Sequence, residues 1–142
     1  MTVSAILDLK GHDVVTVDPE VTLADAIRIL AERHIGAVLV MAGNSIEGIL
    51  SERDIVGALG RRGAAALDLP VNQVMTRRVV TCRRADTVAA LMEAMTEQKF
   101  RHLPVVEDNR LVGLVSIGDV VKWRVGEYEA EQEALRDYIK TA

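Results

Sequence analysis

Apolar and polar positions along this chain follow an order that occurs twice and predicts strand, helix, strand, strand and helix in each half. A β-branched run at 13–17 predicts the first strand, and apolar positions three and four residues apart predict a helix that begins at Thr22. The run 35–41 is apolar, which indicates a strand covered on both faces. A turn then leads to a partner strand at 46–50, and Ser51 is predicted to cap the second helix.

The second half of the chain repeats this order without a gap in the alignment. Its predicted elements are a strand at 79–82, a helix at 87–98, strands at 103–106 and 111–115, and a helix from Ser116. The heptapeptide Gly48-Ile49-Leu50-Ser51-Glu52-Arg53-Asp54 returns 65 residues later as Gly113-Leu114-Val115-Ser116-Ile117-Gly118-Asp119. Because only two copies are present, the duplication predicts a pseudo-symmetric pair of subdomains and not a solenoid.

Changes in composition mark the boundaries between these parts. We expect a first domain over 7–62, a linker over 63–73, a second domain over 74–126 and a C-terminal helical tail over 127–142. The linker contains Gly63, a run of three alanines and Pro70, and it has room for one helical turn. The tail is acidic but carries a narrow apolar stripe, so it is either a solvated terminal helix or part of a dimer contact. The stripe consists of Ala134, Leu135, Tyr138 and Ile139.

Net charge and hydropathy exclude several classes of partner. The formal net charge is −4, which lacks the basic footprint that nucleic-acid binding requires. Apolar runs stay well short of the roughly 18 residues needed to cross a bilayer, so neither a membrane span nor a targeting segment is expected. The hydrophobic fraction is 49% with one Trp and one Phe, which predicts an aliphatic core.

Cys82 is the one cysteine of the chain. It cannot form an internal disulfide and has no His or Cys neighbour at metal-ligand spacing, so neither a disulfide framework nor a zinc site is expected. We therefore expect a cytoplasmic protein, with Cys82 as a small buried hydrophobe on a strand.

The Ser-x-x-Asp pairs at the start of the second helix of each half have two interpretations. In the first, the serine and aspartate form a capping box that satisfies backbone donors of the first helical turn. In the second, each carboxylate accepts both hydroxyls of a ribose, while the hydroxyl and the amides at the helix N-terminus receive a phosphate. Capping alone explains neither Gly48 nor Gly113, three residues before each serine, and this favours the second interpretation.

The order of elements and three motifs resemble a tandem pair of cystathionine-β-synthase (CBS) domains, a unit called a Bateman module. The motifs are the two Gly-hydrophobic-hydrophobic-Ser-x-x-Asp segments and Arg101-His102-Leu103-Pro104-Val105-Val106. The resemblance covers roughly residues 7–124. It implies an α+β fold of two βαββα units paired about a pseudo-two-fold axis, and a flat homodimer of two such pairs.

The resemblance also implies a ligand and the residues that hold it. CBS pairs bind adenosine compounds in clefts between the units, here AMP or NAD(H) by preference and ATP as a further candidate. Asp54 and Asp119 would hold ribose hydroxyls, and Ser51 and Ser116 would contact phosphate. The strand residues Val15, Thr16, Val80 and Thr81 would lie along the adenine. Residues at the cleft mouth that match the family pattern or supply positive charge are Arg101, His102, Pro104, Arg53, Lys10 and Arg77.

The two copies differ in charge at matched positions. Where the second copy has Arg101-His102-Leu103-Pro104, the first has Gly36-Ala37-Val38-Leu39, and Arg53 of the first copy becomes Gly118 in the second. We therefore expect one cleft suited to a charged phosphate and a second that is weaker, differently selective or empty.

Three functions from different classes remain at this point. The first is a regulatory module in which an adenosine ligand shifts the arrangement of the repeats and a separate, unidentified protein responds. The second is an enzyme. The sequence lacks phosphate-binding loops, nucleophile motifs and residues at metal-ligand spacing, which disfavours this function, and no catalytic cofactor is expected. The third is a ligand-independent dimeric interaction scaffold, in which the Ser-Asp pairs are only caps.

Overall fold

The structure is a computed structural model that describes residues 1–141. It contains five α-helices and five strands in this part of the chain, and the predicted order of elements appears in full in the first repeat, whereas the second repeat lacks its first strand. In chain order they are α1 (Val3–Lys10), β1 (Thr16–Val17), α2 (Leu23–Arg33), β2 (Ala37–Ala42), β3 (Ser45–Ser51), α3 (Glu52–Arg62), α4 (Val88–Gln98), β4 (His102–Glu107), β5 (Arg110–Ser116) and α5 (Ile117–Thr141). The linker forms two 3₁₀ helices, Gly63–Asp68 and Val71–Gln73.

The first repeat forms a compact unit with the linker. This unit comprises Asp13–Val80 together with the hairpin tip Asp108–Leu111. Its sheet has the order β1-β2-β3, with β1 parallel to β2 and β2 antiparallel to β3. Thr22, at which the sequence predicts the start of α2, is the N-cap of that helix, and its hydroxyl accepts the Asp25 amide at 3.2 Å. The core is aliphatic, and the largest of its fully buried side chains, Leu23 and Leu50, come from α2 and β3.

The second repeat forms its own unit with the N-terminal segment. This unit comprises Met1–His12, Thr81–Glu107 and the chain from Val112 onward. Helix α1 was not predicted from the sequence, and it is held here by backbone bonds, among them the Val3 amide to the Asp86 carbonyl at 2.9 Å. Its buried face includes Val3, Ile6 and Leu7. Cys82 is buried as predicted, and burial together with the carboxylates of Asp86 and Glu107 raises the pKa of its thiol to about 12.

The predicted strand at 79–82 is wrong, since the structure has only an isolated parallel bridge between Cys82 and Val105. In the first repeat, the Leu39 amide donates to the Val15 carbonyl beside the ladder of β1 and β2. Pro104 stands at the position that matches Leu39 and has no N–H to donate. The proline of the Arg-His-x-Pro motif therefore shortens the ladder of the second repeat.

The buried glycine of each heptapeptide lies against the segment that leads into a repeat. A Cβ on Gly48 would lie 2.7 Å from the Thr76 carbonyl oxygen and 2.6 Å from the Met75 sulfur. A Cβ on Gly113 would lie 2.6 Å from a Cδ of Leu7. Gly48 therefore requires glycine, because the backbone oxygen of Thr76 cannot move aside, whereas alanine at Gly113 would require the end of the Leu7 side chain to shift. Neither reason involves a ligand.

Candidate functional site

The first Ser-Asp pair forms a complete capping box at the start of α3. The Ser51 amide donates to Asp54 Oδ2 at 3.0 Å, and the Asp54 amide donates to Ser51 Oγ at 3.4 Å. The Thr76 hydroxyl, from the segment after the linker, donates to the other carboxylate oxygen, Oδ1, at 2.9 Å. These bonds join the Ser51, Asp54 and Thr76 side chains in one hydrogen-bonded group, in which Asp54 is half-buried.

The second Ser-Asp pair repeats the cap at the start of α5 but has a charged partner. The Ser116 amide donates to Asp119 Oδ2 at 2.9 Å, and the Asp119 amide donates to Ser116 Oγ at 3.1 Å. Lys10, the last residue of α1, places its Nζ 2.6 Å from the same Oδ2 and 2.7 Å from the Leu114 carbonyl oxygen. The two copies of the motif are therefore alike in backbone geometry and different in charge, since a neutral hydroxyl meets one aspartate and an ammonium meets the other.

The charge of Lys10 alters the acidity of Asp119. Burial acts to raise the pKa of the Asp119 carboxyl. The hydrogen bond from Lys10, the bonds from the Ser116 amide and hydroxyl, and the positive charge of Lys10 outweigh burial and hold that pKa below its usual value. Asp119 is thus kept ionised over a wider pH range than an isolated aspartate.

Replacing Lys10 by methionine is expected to raise the pKa of Asp119, because burial of the carboxyl remains while the ammonium is lost. An aspartate whose pKa is lower in the folded than in the unfolded state stabilises the fold above roughly pH 4 and loses that contribution as the pH falls through the folded pKa. The wild type should therefore be more stable than the variant near neutral pH, by at most about 1 kcal/mol for a partly exposed pair.

Urea unfolding between neutral and acid pH measures this difference, which should disappear once Asp119 is protonated in both proteins. Arg28→Met is the control, because Arg28 pairs with Asp25 on the exposed face of α2. A stability difference for Lys10→Met that is the same at every pH would contradict the assigned ion pair.

A cavity of about 480 Å³ lies between α1 and α5, and Lys10 and Asp119 form part of its wall. The remaining lining is mostly apolar, with Trp123 as its one aromatic side chain, and consists of Met1, Ile6, Leu9, Lys122, Trp123, Gly126, Glu127 and Ala130. A largely apolar cavity with a few convergent charged groups is the usual form of a small-molecule site. A second cavity of about 580 Å³, between α2 and α3, contains none of the residues predicted from the sequence.

The other residues predicted from the sequence fall at several places in the fold. The Arg101 carbonyl accepts the Ile117 amide at 2.8 Å, as the Gly36 carbonyl accepts the Glu52 amide at 3.0 Å in the first repeat. The second repeat therefore carries an arginine at the start of its long helix where the first carries no side chain. Arg77 donates to the Asn72 carbonyl at 3.0 Å and is engaged with the linker. Of the others, Arg53, Thr16 and Thr81 are exposed, Val15, Val80 and His102 are half-buried, and Pro104 is buried.

Sequence reasoning missed several residues that the structure places at these groups. Thr76 matches Gly11 in the alignment of the repeats, so no shared motif marked it. Lys122 and Trp123 follow Asp119 by three and four residues, a spacing that puts them on the same face of α5. That spacing was the available signal for Trp123, although it does not distinguish a cavity wall from packing.

Comparison with known proteins assigns the chain to a family. The profile of the CBS domain matches residues 6–61 and 71–126, which together make up most of the sequence. The chain belongs to the CBS domain family. The fold predicted from the resemblance, an α+β arrangement of two CBS repeats, is confirmed by this match and by the solved CBS structures that the chain resembles.

Two similar CBS proteins are a bacterial and a plant protein. The chain is 48% identical to the CBS-domain containing protein ATU1752 from Agrobacterium tumefaciens, with a TM-score of 0.84 over 87% of this chain and 92% of that one. It is 32% identical to the mitochondrial CBS domain-containing protein CBSX3 of Arabidopsis thaliana over 84% of this chain. It spans 60% of the length of that plant relative.

A second similar solved structure is the CBS domain pair of protein MJ0100 in complex with 5′-methylthioadenosine and S-adenosyl-L-methionine. It is 24% identical to this chain, with a TM-score of 0.79 over 89% of this chain and 98% of that one. At this identity the likeness supports the fold alone.

Within residues 1–141 of the present CBS protein, no helix is both long and apolar enough to span a bilayer, and no cluster of three potential metal ligands occurs.

Proposed function

We propose that this CBS protein is a regulatory module that binds an adenosine-containing ligand and modulates a separate partner protein. The observation that carries the proposal is the repeated arrangement of a partly buried aspartate and serine at a helix N-terminus, once in each repeat. Such a terminus favours an anionic group, and a carboxylate beside it accepts hydroxyl hydrogens of a ribose. The adenosine compounds bound by the domain pair of MJ0100 are consistent with this ligand class.

The two sites are proposed to differ in the ligand that they prefer. Lys10 and Arg101 both lie near the start of α5, whereas the equivalent group in the first repeat has the Thr76 hydroxyl and Gly36. Positive charge next to the ribose site favours a ligand with phosphate, and the second repeat is therefore the proposed site for AMP or NAD(H), with ATP as a further candidate. The first repeat is proposed to bind more weakly.

The remaining parts of the proposal concern assembly and location. We propose that the protein acts in the cytoplasm as a homodimer without catalytic activity; its single cysteine, which is buried and has no partner for an internal disulfide, is consistent with a reducing compartment. The partner protein would respond to a ligand-dependent change in the CBS pair, which requires that the ligand bind one arrangement more tightly than another.

Thermal unfolding in the presence of millimolar AMP, NAD or ATP tests ligand binding. A ligand at a hundredfold excess over its Kd stabilises the folded state by about 2.7 kcal/mol, which raises Tm by several degrees for a domain of this size. Asp119→Ala is expected to abolish most of the shift, and Asp54→Ala to reduce it less.

Asp25→Ala is the matched control for these variants, because Asp25 also lies in the first turn of a helix but is exposed on α2. It should retain the full shift. Unchanged shifts in both Asp54→Ala and Asp119→Ala would show that the ribose assignment is wrong.

A ligand-independent interaction scaffold is the second candidate function. The observations that favour it are that both aspartates already accept bonds within their own compact units and that both motif glycines are closely packed. This candidate predicts no thermal shift with any of the three nucleotides. It also predicts that Asp54→Ala and Asp119→Ala each lose only about 1 kcal/mol, the usual net contribution of a hydrogen bond such as those of a capping box.

A further inference from the structure

Helix α5 is one continuous helix of 25 residues and carries an exposed row of apolar side chains. The composition predicts a boundary between a domain and a tail after residue 126, whereas the helix passes through Gly126 without a break. Five large apolar side chains along it are half to two-thirds exposed. With the half-buried Gln132 they form a set that we term the α5 seam: Val121, Val125, Tyr128, Gln132, Leu135 and Ile139.

The α5 seam has the spacing of a coiled coil. Its residues are separated by four, three, four, three and four positions, which is the alternation of d and a positions in a heptad. Val121, Tyr128 and Leu135 occupy d, whereas Val125 and Ile139 occupy a. The polar Gln132 occupies the central a position, where a single polar side chain favours a defined register. A surface helix that only packed on its own domain would not need this stripe exposed.

The charges that flank the seam distinguish between the possible partners. In a parallel pair of identical helices, a g residue faces the e residue of the next heptad on the partner. Arg124 would then face the partner's Glu129, and Glu131 would face the partner's Arg136. In the fully overlapped antiparallel pair, Lys122 would face the partner's Arg136. Glu129 and Glu131 would each face their own copies. Every charge pair is thus opposite in the parallel arrangement and alike in the antiparallel one.

Local structure adds a second reason for a partner. Nearly all side chains between residues 128 and 140 are exposed, so this part of α5 gains little from packing within its own chain. Helices of about 12–15 residues are marginal in water without tertiary contacts. One flanking charge already has a local partner, since Arg124 pairs with Glu127 at 3.0 Å.

We infer that the α5 seam joins two copies of this chain as a parallel two-stranded coiled coil. The inference rests on the homodimer of the proposed function but not on ligand binding. The seam spans fewer than three heptads, and we therefore expect a dimer dissociation constant of roughly micromolar order.

Sedimentation equilibrium of the full chain, from roughly micromolar to several hundred micromolar, tests the inference. Leu135→Lys places a charge in the seam and should raise the dissociation constant by at least about 30-fold, as loss of an interface hot spot does. Ala134→Lys is the matched control, because the neighbouring residue is exposed outside the seam, and it should leave the constant unchanged. Circular dichroism establishes that each variant is folded.

Two further sets of variants test the direction of the helices. Glu131→Arg should weaken the dimer, and adding Arg136→Glu to it should restore binding, because the partner's residue at 136 again has the opposite charge. Ile139→Cys in a Cys82→Ala background should form an intermolecular disulfide on oxidation, since equal a positions face each other only in a parallel pair.

A monomer at all concentrations would overturn both the inference and the proposed homodimer. A dimer that Leu135→Lys does not weaken would overturn the inference alone, because the homodimer would then use another surface. Absence of the disulfide, or of rescue by Arg136→Glu, would overturn the parallel arrangement.

Discussion

Replacement of Leu7 by alanine is expected to destabilise the protein by about 3 kcal/mol, the middle of the range for a buried leucine. Leu7 lies on α1, is fully buried and packs directly over Gly113 of β5. Its removal leaves a cavity beneath α1 and weakens the attachment of the helix that carries Lys10 to Asp119. Urea unfolding measures the loss. Leu9→Ala on the same helix is the control, because Leu9 is 81% exposed and should change stability very little.

A double-mutant cycle with Gly113→Ala identifies the contact that is responsible. Gly113→Ala alone should cost about 1–2 kcal/mol, because its Cβ collides with the flexible end of Leu7. In the Leu7→Ala background that collision is absent, so the second substitution should cost much less than it does alone. Additive effects of the two substitutions would contradict the direct contact of Leu7 with Gly113.

Replacement of Gly48 by alanine should cost about 3 kcal/mol, more than the same change at Gly113. The new Cβ would lie 2.7 Å from the Thr76 carbonyl oxygen, and a backbone atom cannot move aside as a leucine side chain can. The backbone bonds between Ile49 and Thr76, at 2.9 Å in both directions, would also have to shift. Thermal or urea unfolding measures the cost.

Gly60→Ala in α3 is the matched control for Gly48→Ala. A Cβ at Gly60 meets no atom within 4 Å, so alanine should stabilise the helix by about 0.5–1 kcal/mol. If Gly48→Ala proved as stable as wild type but lost nucleotide binding, the glycine would serve the ligand and not the packing of Thr76 on β3.

The pattern of the sequence predicted the repeated elements well because their signals are local. Thr22 and Ser51 are the N-caps of the helices whose starts the pattern predicts there. The strands of both hairpins begin and end within one or two residues of the predicted positions. The strand at 79–82 failed because a strand depends on its neighbour's hydrogen bonds, and Pro104 removes one donor. Helix α1 escaped notice because its buried face depends on residues more than 80 positions away.

The candidate site also consists of residues that the sequence predicts and residues that it does not. Ser51, Asp54, Ser116 and Asp119 were found from the sequence because a capping box is contained within four consecutive residues. The partners of the two aspartates were not found, since the Thr76 hydroxyl and the Lys10 ammonium arrive from 22 and 109 residues away. Lys10 was predicted as a cation for phosphate, but its position on Asp119 had no signal in the pattern.

The order of the amino acids alone thus specifies two matched repeats, their aliphatic core, the four residues of the two caps and the family to which they belong. These properties depend on periodicity and on interactions within one helical turn, which a linear pattern records. The charge at each aspartate and the reason for each motif glycine emerge only when distant segments meet, and the tertiary structure decides that the apolar row of α5 stays exposed. The entropic cost of closing a loop rises only slowly with its length, so residues that pack together can lie far apart in the chain. The local sequence therefore does not indicate which distant segment each residue will contact.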